Sequence, residues 1–267
     1  MLVSRPLDYL PIWAIFGLTV AVVLFAIEAG YRIGKARRLH YADELDAPVA
    51  AIVAASLGLL GLIVAFTFSL AASRFDARRQ MVVEEANAVG TTYLRTGLLP
   101  DGHSEKIRKL LAEYVEARLE VVQTGDVDLV LRRSNELHRQ LWKEAEAVGR
   151  MHPNSIVVGL FIQALNETID VHSKRVLVGL RSRLPNVLWV ILYLITVATM
   201  FGVGYHEGLS KSRRSLVIIV LVFVFSAIIT LVTDLDRPQE GFFTVSQQTM
   251  VDLRSMIDSL PSSASPK

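Results

Sequence analysis

Four stretches of this chain contain no Asp, Glu, Lys or Arg: Ile12–Ile27, Val49–Ala72, Asn186–Tyr205 and Ser215–Thr233, of 16, 24, 20 and 19 residues. A helix needs about 20 mostly apolar residues to cross roughly 30 Å of hydrocarbon, so the last three suffice as they stand. The first gains length from Leu10, Pro11 and an uncharged flank. The four stretches hold 79 of 267 residues, and all 28 Lys and Arg and 26 Asp and Glu lie elsewhere. The overall figures, 52% hydrophobic, 20% charged and net charge +2, therefore average two unlike materials. That distribution excludes a disordered chain, a simple soluble enzyme and a secreted disulfide scaffold. The absence of cysteine removes thiol catalysis, thiolate metal sites and disulfides together. The first stretch is not a cleaved signal, because it runs into Glu28-Ala29-Gly30 and basic residues without a small-x-small site.

The expected architecture is all-α: four transmembrane helices with a four-helix extramembrane bundle inserted between the second and third spans. The spans cover about 11–30, 48–72, 186–205 and 215–233, the bundle 73–185, and a C-terminal tail 234–267. Residues 73–185 carry 17 Lys and Arg and 15 Asp and Glu. The second span runs on toward Leu98 as one long helix, broken at Pro100-Asp101-Gly102. Ile107, Leu110, Leu111, Tyr114, Val115, Leu119 and Val122 then recur at helical spacing. Gly125-Asp126 is the next break, with Asp126 as N-cap, and Pro153-Asn154 opens a last helix reaching Arg183. In the tail, Ser246 is the expected N-cap of an amphipathic helix stapled by Val245 and Met250. Strand-like alternation is confined to Phe242–Val245.

The short loops carry Arg32, Lys35, Arg37, Arg38, Lys211, Arg213 and Arg214, against Arg5, Arg237, Arg254 and Lys267 on the other side. This balance places the bundle and both termini in the periplasm. Counting the bundle's own flanks (Arg74, Arg78, Arg79, Lys174, Arg175, Arg181 and Arg183) reverses it.

Three groups of residues are candidates for function. The first lies where the second span leaves the membrane: Phe66, Thr67, Phe68 and Ser69, then Arg74, Arg78 and Arg79. Hydroxylic and small residues here serve close helix packing, or line a wet path with Phe66 or Phe68 as an apolar constriction and the arginines at its mouth. The second is a polar network. Glu84, Asn87 and Thr91 share one helical face beside Glu85, and Asn166, Asp170 and Lys174 share another beside Glu167 and Arg175. If the two faces meet, they form a polar ladder that fixes helix register. The third is an acidic cluster at span ends, Glu28, Asp234 and Asp236, with Arg237 as nearest partner. The six histidines lack ligand spacing, and no Glu-x-x-His pair, Walker loop, Gly-x-Ser-x-Gly or His-Glu-x-x-His occurs. No metal, cofactor, nucleic-acid partner or enzymatic activity is expected.

Five segments taken together resemble a known family. They are Glu28-x-Gly30-x-x-x-Gly34, Phe68-Ser69-Leu70-Ala71-x-x-Arg74-Phe75-x-x-Arg78-Arg79, Glu84-Glu85-Ala86-Asn87-Ala88-Val89-Gly90-Thr91, Leu165-Asn166-Glu167-x-x-Asp170-x-x-x-x-Arg175 and Asp234-x-Asp236-Arg237-Pro238-x-x-Gly241. The family is one of bacterial membrane proteins built on a domain of unknown function and often described as bestrophin-like. The resemblance spans nearly the whole chain. It implies a multi-pass inner-membrane protein in contact with the bilayer, and a homo-oligomeric channel for inorganic anions with the second span lining the pore. Bestrophins gather acidic calcium ligands after the last span, whereas here Asp234 and Asp236 alone cannot supply a six- to eight-oxygen shell. The alternative expectation is a non-conducting sensor or scaffold whose bundle binds a partner.

Overall fold

A computed structural model of the protein describes residues 10–40, 46–124, 126–210, 216–237 and 241–260. In chain order the helices are α1 (Ile12–His40), α2 (Asp46–Thr96), α3 (Asp101–Thr124), α4 (Val127–Met151), α5 (Ile156–Val176), α6 (Asn186–Leu209), α7 (Val217–Asp236) and α8 (Gln248–Ser259). A π-helical turn, Leu177–Arg181, follows α5. No strand occurs among the described residues, and Phe242–Val245 is irregular. Lys211, Arg213 and Arg214 of the topology count lie outside the described residues, as do Arg5, Gly125, Pro238 and Lys267.

Helices α1, α2, α6 and α7 are long and apolar enough to cross a membrane. With 51 residues at 1.5 Å each, α2 is about 75 Å long, more than twice the hydrocarbon thickness. The chain divides into two compact units. One comprises Met1–Phe75 and Arg183–Thr244, the other Asp76–Ser182 and Val245–Lys267.

In the first unit, α1 packs along α6 and α7. The approach to α6 depends on two matched Gly-x-x-x-Gly pairs. A Cβ on Gly30 or Gly34 would collide with the carbonyl oxygens of Phe201 or Tyr205. One on Gly204 or Gly208 would collide with those of Ile27 or Tyr31. Small residues let two backbones touch where lipid offers no hydrophobic drive for association. Val23, Ile27, Leu60, Val64, Leu192, Met200 and Ile229 fill the core. The hydroxyls of Thr19, Thr67, Thr196, Thr230 and Thr233 each donate to the carbonyl four residues back, so they leave no unmet donor in an apolar helix. The start of α1, the start of α6 and the end of α7 are tied together. Arg237 Nη2 donates to the Leu10 carbonyl at 2.5 Å and Asp236 Oδ1 accepts the Leu184 N–H at 2.8 Å.

The second unit buries one core drawn from five helices. It includes Val82, Val89 and Tyr93 of α2, Ile107, Leu111 and Tyr114 of α3, Leu137, Leu141 and Val148 of α4, Phe161 and Leu165 of α5, and Met250, Leu253 and Ile257 of α8. Asp126 caps α4 as expected, its Oδ1 accepting the Leu129 N–H at 2.9 Å. Helix α5 begins after the Pro153-Asn154 turn, where Ser155 Oγ accepts from Val158 N at 3.4 Å. For α8 the N-cap is Gln247 rather than Ser246, whose Oγ accepts from Gln248 N at 3.2 Å. Val245 and Met250 both pack against this core, but with Gln247 as the cap they no longer hold the two staple positions; the segment from Val245 onward belongs to this unit.

Candidate functional site

Helix α2 is the least covered of the four apolar helices: 11% of its apolar window is buried, against 33% to 39% in the others. It docks by one narrow face, Leu60, Val64, Thr67 and Ala71. Opposite, at spacings of three and four, Leu62, Phe66, Ser69 and Ser73 are exposed, Phe66 by 64%. The same spacing continues through Asp76, Gln80, Glu84, Asn87 and Thr91, all exposed. One stripe thus changes from apolar to hydroxylic to polar and acidic along the helix. Of the residues expected at a pore, Phe66, Phe68 and Ser69 are open, but Thr67 is turned inward and bonded to the Ile63 carbonyl. The three arginines do not form one ring: Arg78 is buried, Arg74 half-buried and Arg79 exposed. Adjacent helical positions lie 100° apart, which separates Arg78 from Arg79.

The expected polar ladder does not form; a buried hub takes its place, one residue further along α2 and on the opposite face of α5. Glu84, Asn87, Thr91, Asn166, Glu167 and Asp170 are exposed and do not meet across the core; Asn166 bonds only one turn along, to Asp170 at 3.3 Å. Inside, the Thr92 and Thr168 hydroxyls meet at 2.8 Å. Glu85, fully buried, is the centre. Its Oε2 accepts from Arg118 Nε and Nη2 at 3.3 Å and from Arg175 Nη1, and its Oε1 accepts from the Tyr114 hydroxyl. The Tyr114 oxygen also lies 2.9 Å from His172 Nδ1, which must be the donor because the tyrosine proton goes to Glu85. Arg175 Nη2 reaches Gln247 Oε1 at 2.7 Å, at the threshold of α8. The ring of His138 sits 4.8 Å from the rings of both Tyr114 and His172. Side chains of α3 and α5 therefore converge on one carboxylate of α2, with His138 of α4 and Gln247 before α8 packed or bonded to those partners.

The electrostatics follow from burial opposed by charge. Burial alone would raise the Glu85 pKa, but Arg118 and Arg175, with hydrogen bonds from His172 and Tyr114, hold it well below the carboxylate range. Burial and the Glu85 charge push Tyr114 well above 10. Burial first, then His172, pushes His138 down to about 4. Sequence reasoning reached Glu85 and Arg175 but missed Tyr114, Arg118, His138 and His172. Tyr114 already stood on the apolar face of α3; nothing local marks which polar neighbour points inward with it.

Glu28 does not join the acidic cluster. It pairs with Arg32 at 2.8 Å, 16 residues and about 24 Å along α1 from the end that meets Arg237. Asp234 and Asp236 are buried and serve the backbone. Asp234 accepts the Phe242 N–H on both oxygens and the Phe243 N–H on Oδ2, each at 3.0 Å. Gly241, at φ 157°, brings the chain there, and a Cβ on it would strike the Asp234 carboxylate. Asp234, Asp236, Arg237 and Gly241 thus form a structural lock at the end of α7. Among the described residues no group of three His, Asp or Glu side chains could hold a metal ion.

The fold is similar to that of a crystallised bacterial bestrophin homologue from Klebsiella pneumoniae. The match has a TM-score of 0.63 at 17% identity, covering 94% of this chain and 100% of that one. A single-site variant of a Klebsiella pneumoniae bestrophin homologue matches with a TM-score of 0.62 at 16% identity, over 92% and 97% of the two chains. No curated protein matches the sequence. The Bestrophin-like domain model matches residues 16–250, from the first span through the lock after α7 to the start of α8, and the chain belongs to the bestrophin-like family.

Proposed function

We propose that this protein is a homo-oligomeric ion channel of a bacterial inner membrane, with α2 lining the pore. The observation that supports this reading is the α2 stripe: a span that leaves most of its surface uncovered, with one face graded from apolar to polar. Around a symmetry axis, Leu62 and Phe66 make an apolar constriction that gates by dewetting, and Ser69 and Ser73 open into a wetted passage. Gln80, Glu84, Asn87 and Thr91 then line a vestibule. In this reading the helices within Asp76–Ser182 form the extramembrane bundle, on the periplasmic side by the short-loop arginines.

Asp76 and Glu84 are the charged side chains on the stripe, and both are acidic. Rings of carboxylates favour cations, so the geometry supports a cation pathway rather than the anion pathway that the resemblance implies. The test is current from purified oligomer in a planar bilayer under a KCl gradient. The expected reversal potential lies on the potassium side, moves toward zero in Asp76→Asn/Glu84→Gln, and the conductance rises in Phe66→Ala. A stable oligomer that carries no current would refute the channel and leave the sensor or scaffold reading.

A further inference from the structure

In the first unit a cavity of about 360 Å³ opens between the ends of α1 and α7. Trp13 and Phe16 of α1, Ala227 and Leu231 of α7, and Phe242 and Phe243 beyond α7 form its walls. The two polar side chains that reach it are already engaged: Thr230 donates to the Ser226 carbonyl at 2.7 Å, and the Asp234 carboxylate accepts the Phe242 and Phe243 N–H groups. Its lining therefore asks for an apolar occupant. Both long walls are helices long and apolar enough to cross a membrane, and the opening lies where those helices end. Trp13 and Phe242, 76% and 83% exposed, stand at the span ends, where aromatic rings mark the membrane interface. A helix of a second copy, about 10–12 Å across, is too wide to enter such a cavity, whereas pockets from roughly 300 Å³ upward hold a flexible small molecule.

We propose that this cavity holds one acyl chain of a phospholipid, making a fixed lipid part of the folded protein. The site is independent of conduction. With Trp142 and Trp189 replaced (W142F/W189F), Trp13 is the sole tryptophan of the full-length chain. The experiment titrates phospholipid with brominated acyl chains into this protein in detergent and follows Trp13 emission. The expected result is saturable quenching at one lipid per chain, reversed by the unbrominated lipid. Ala227→Phe, which fills the cavity, abolishes the saturable phase while helical content and oligomer size stay unchanged. Quenching that only rises in proportion to lipid in the micelle overturns the proposal, and the parent protein suffices to show it. So does saturable quenching that persists in Ala227→Phe, or a change of oligomer size in that variant, which would assign the cavity to a subunit contact.

Discussion

Glu85 is surrounded by more positive than negative charge, with Arg118 and Arg175 on one carboxylate and no second acid in the cluster. His138 stands against this hub and resists protonation because it is buried, with His172 as the second cause. The consequence is a pH dependence with a definite sign. An unfolded chain protonates His138 near 6.5, whereas the folded chain refuses the proton until about 4. As pH falls through that window, the unfolded state binds more protons and stability drops. At about 1.4 kcal/mol per unit, the loss from this residue approaches 3 kcal/mol. Glu85 adds its own loss only below its ordinary 4.5, because its folded pKa is depressed. Thermal unfolding of the full chain at pH 6.5 and 4 measures the window. His138→Phe, which keeps a ring between Tyr114 and His172, flattens the upper part of it.

At the scale of elements, glycines and caps decide how helices begin, end and meet. Gly204 faces the Ile27 carbonyl in α1, a backbone atom that moves only if the whole helix moves. Gly204→Val is expected to cost at least the 1–3 kcal/mol typical of overpacking, with Gly204→Ala milder. Gly58→Ala is near neutral, since its Cβ would meet nothing within 4 Å. Melting temperatures of the three variants in detergent check the order. Much at this scale was legible: the four spans and the Asp126 cap follow from local pattern alone, whereas the break falls at 97–100, just ahead of the expected Pro100-Asp101-Gly102, with Asp101 and Gly102 already in α3. The lock after α7 was not. Asp234 and Asp236 were recognised as carboxylates in need of partners, but their partners are backbone N–H groups of Phe242, Phe243 and Leu184, one of them 52 residues away. A backbone donor carries no sequence signature.

At the scale of the molecule, residues beyond the last span return to the core that α2, α3, α4 and α5 build. Met250 is completely buried there, and Leu253 lies against Gly90 of α2. Met250→Ala is expected to destabilise that unit by about 2–5 kcal/mol, read as a lower midpoint in the fluorescence of Trp142 on α4. What the sequence determined by itself is whatever depends on a run or a repeat: membrane spans from length and lack of charge, helices from a 3.6-residue period, caps from single side chains. Those are properties of a segment against its solvent. Only the tertiary structure decided which of Glu84 and Glu85 turns inward, that α8 completes a core begun some 170 residues earlier, and that α2 keeps a long uncovered stripe. Each depends on how helices are rotated against one another. A rotation of 100°, one residue, exchanges a buried hub for an exposed face while leaving the periodicity of the sequence unchanged.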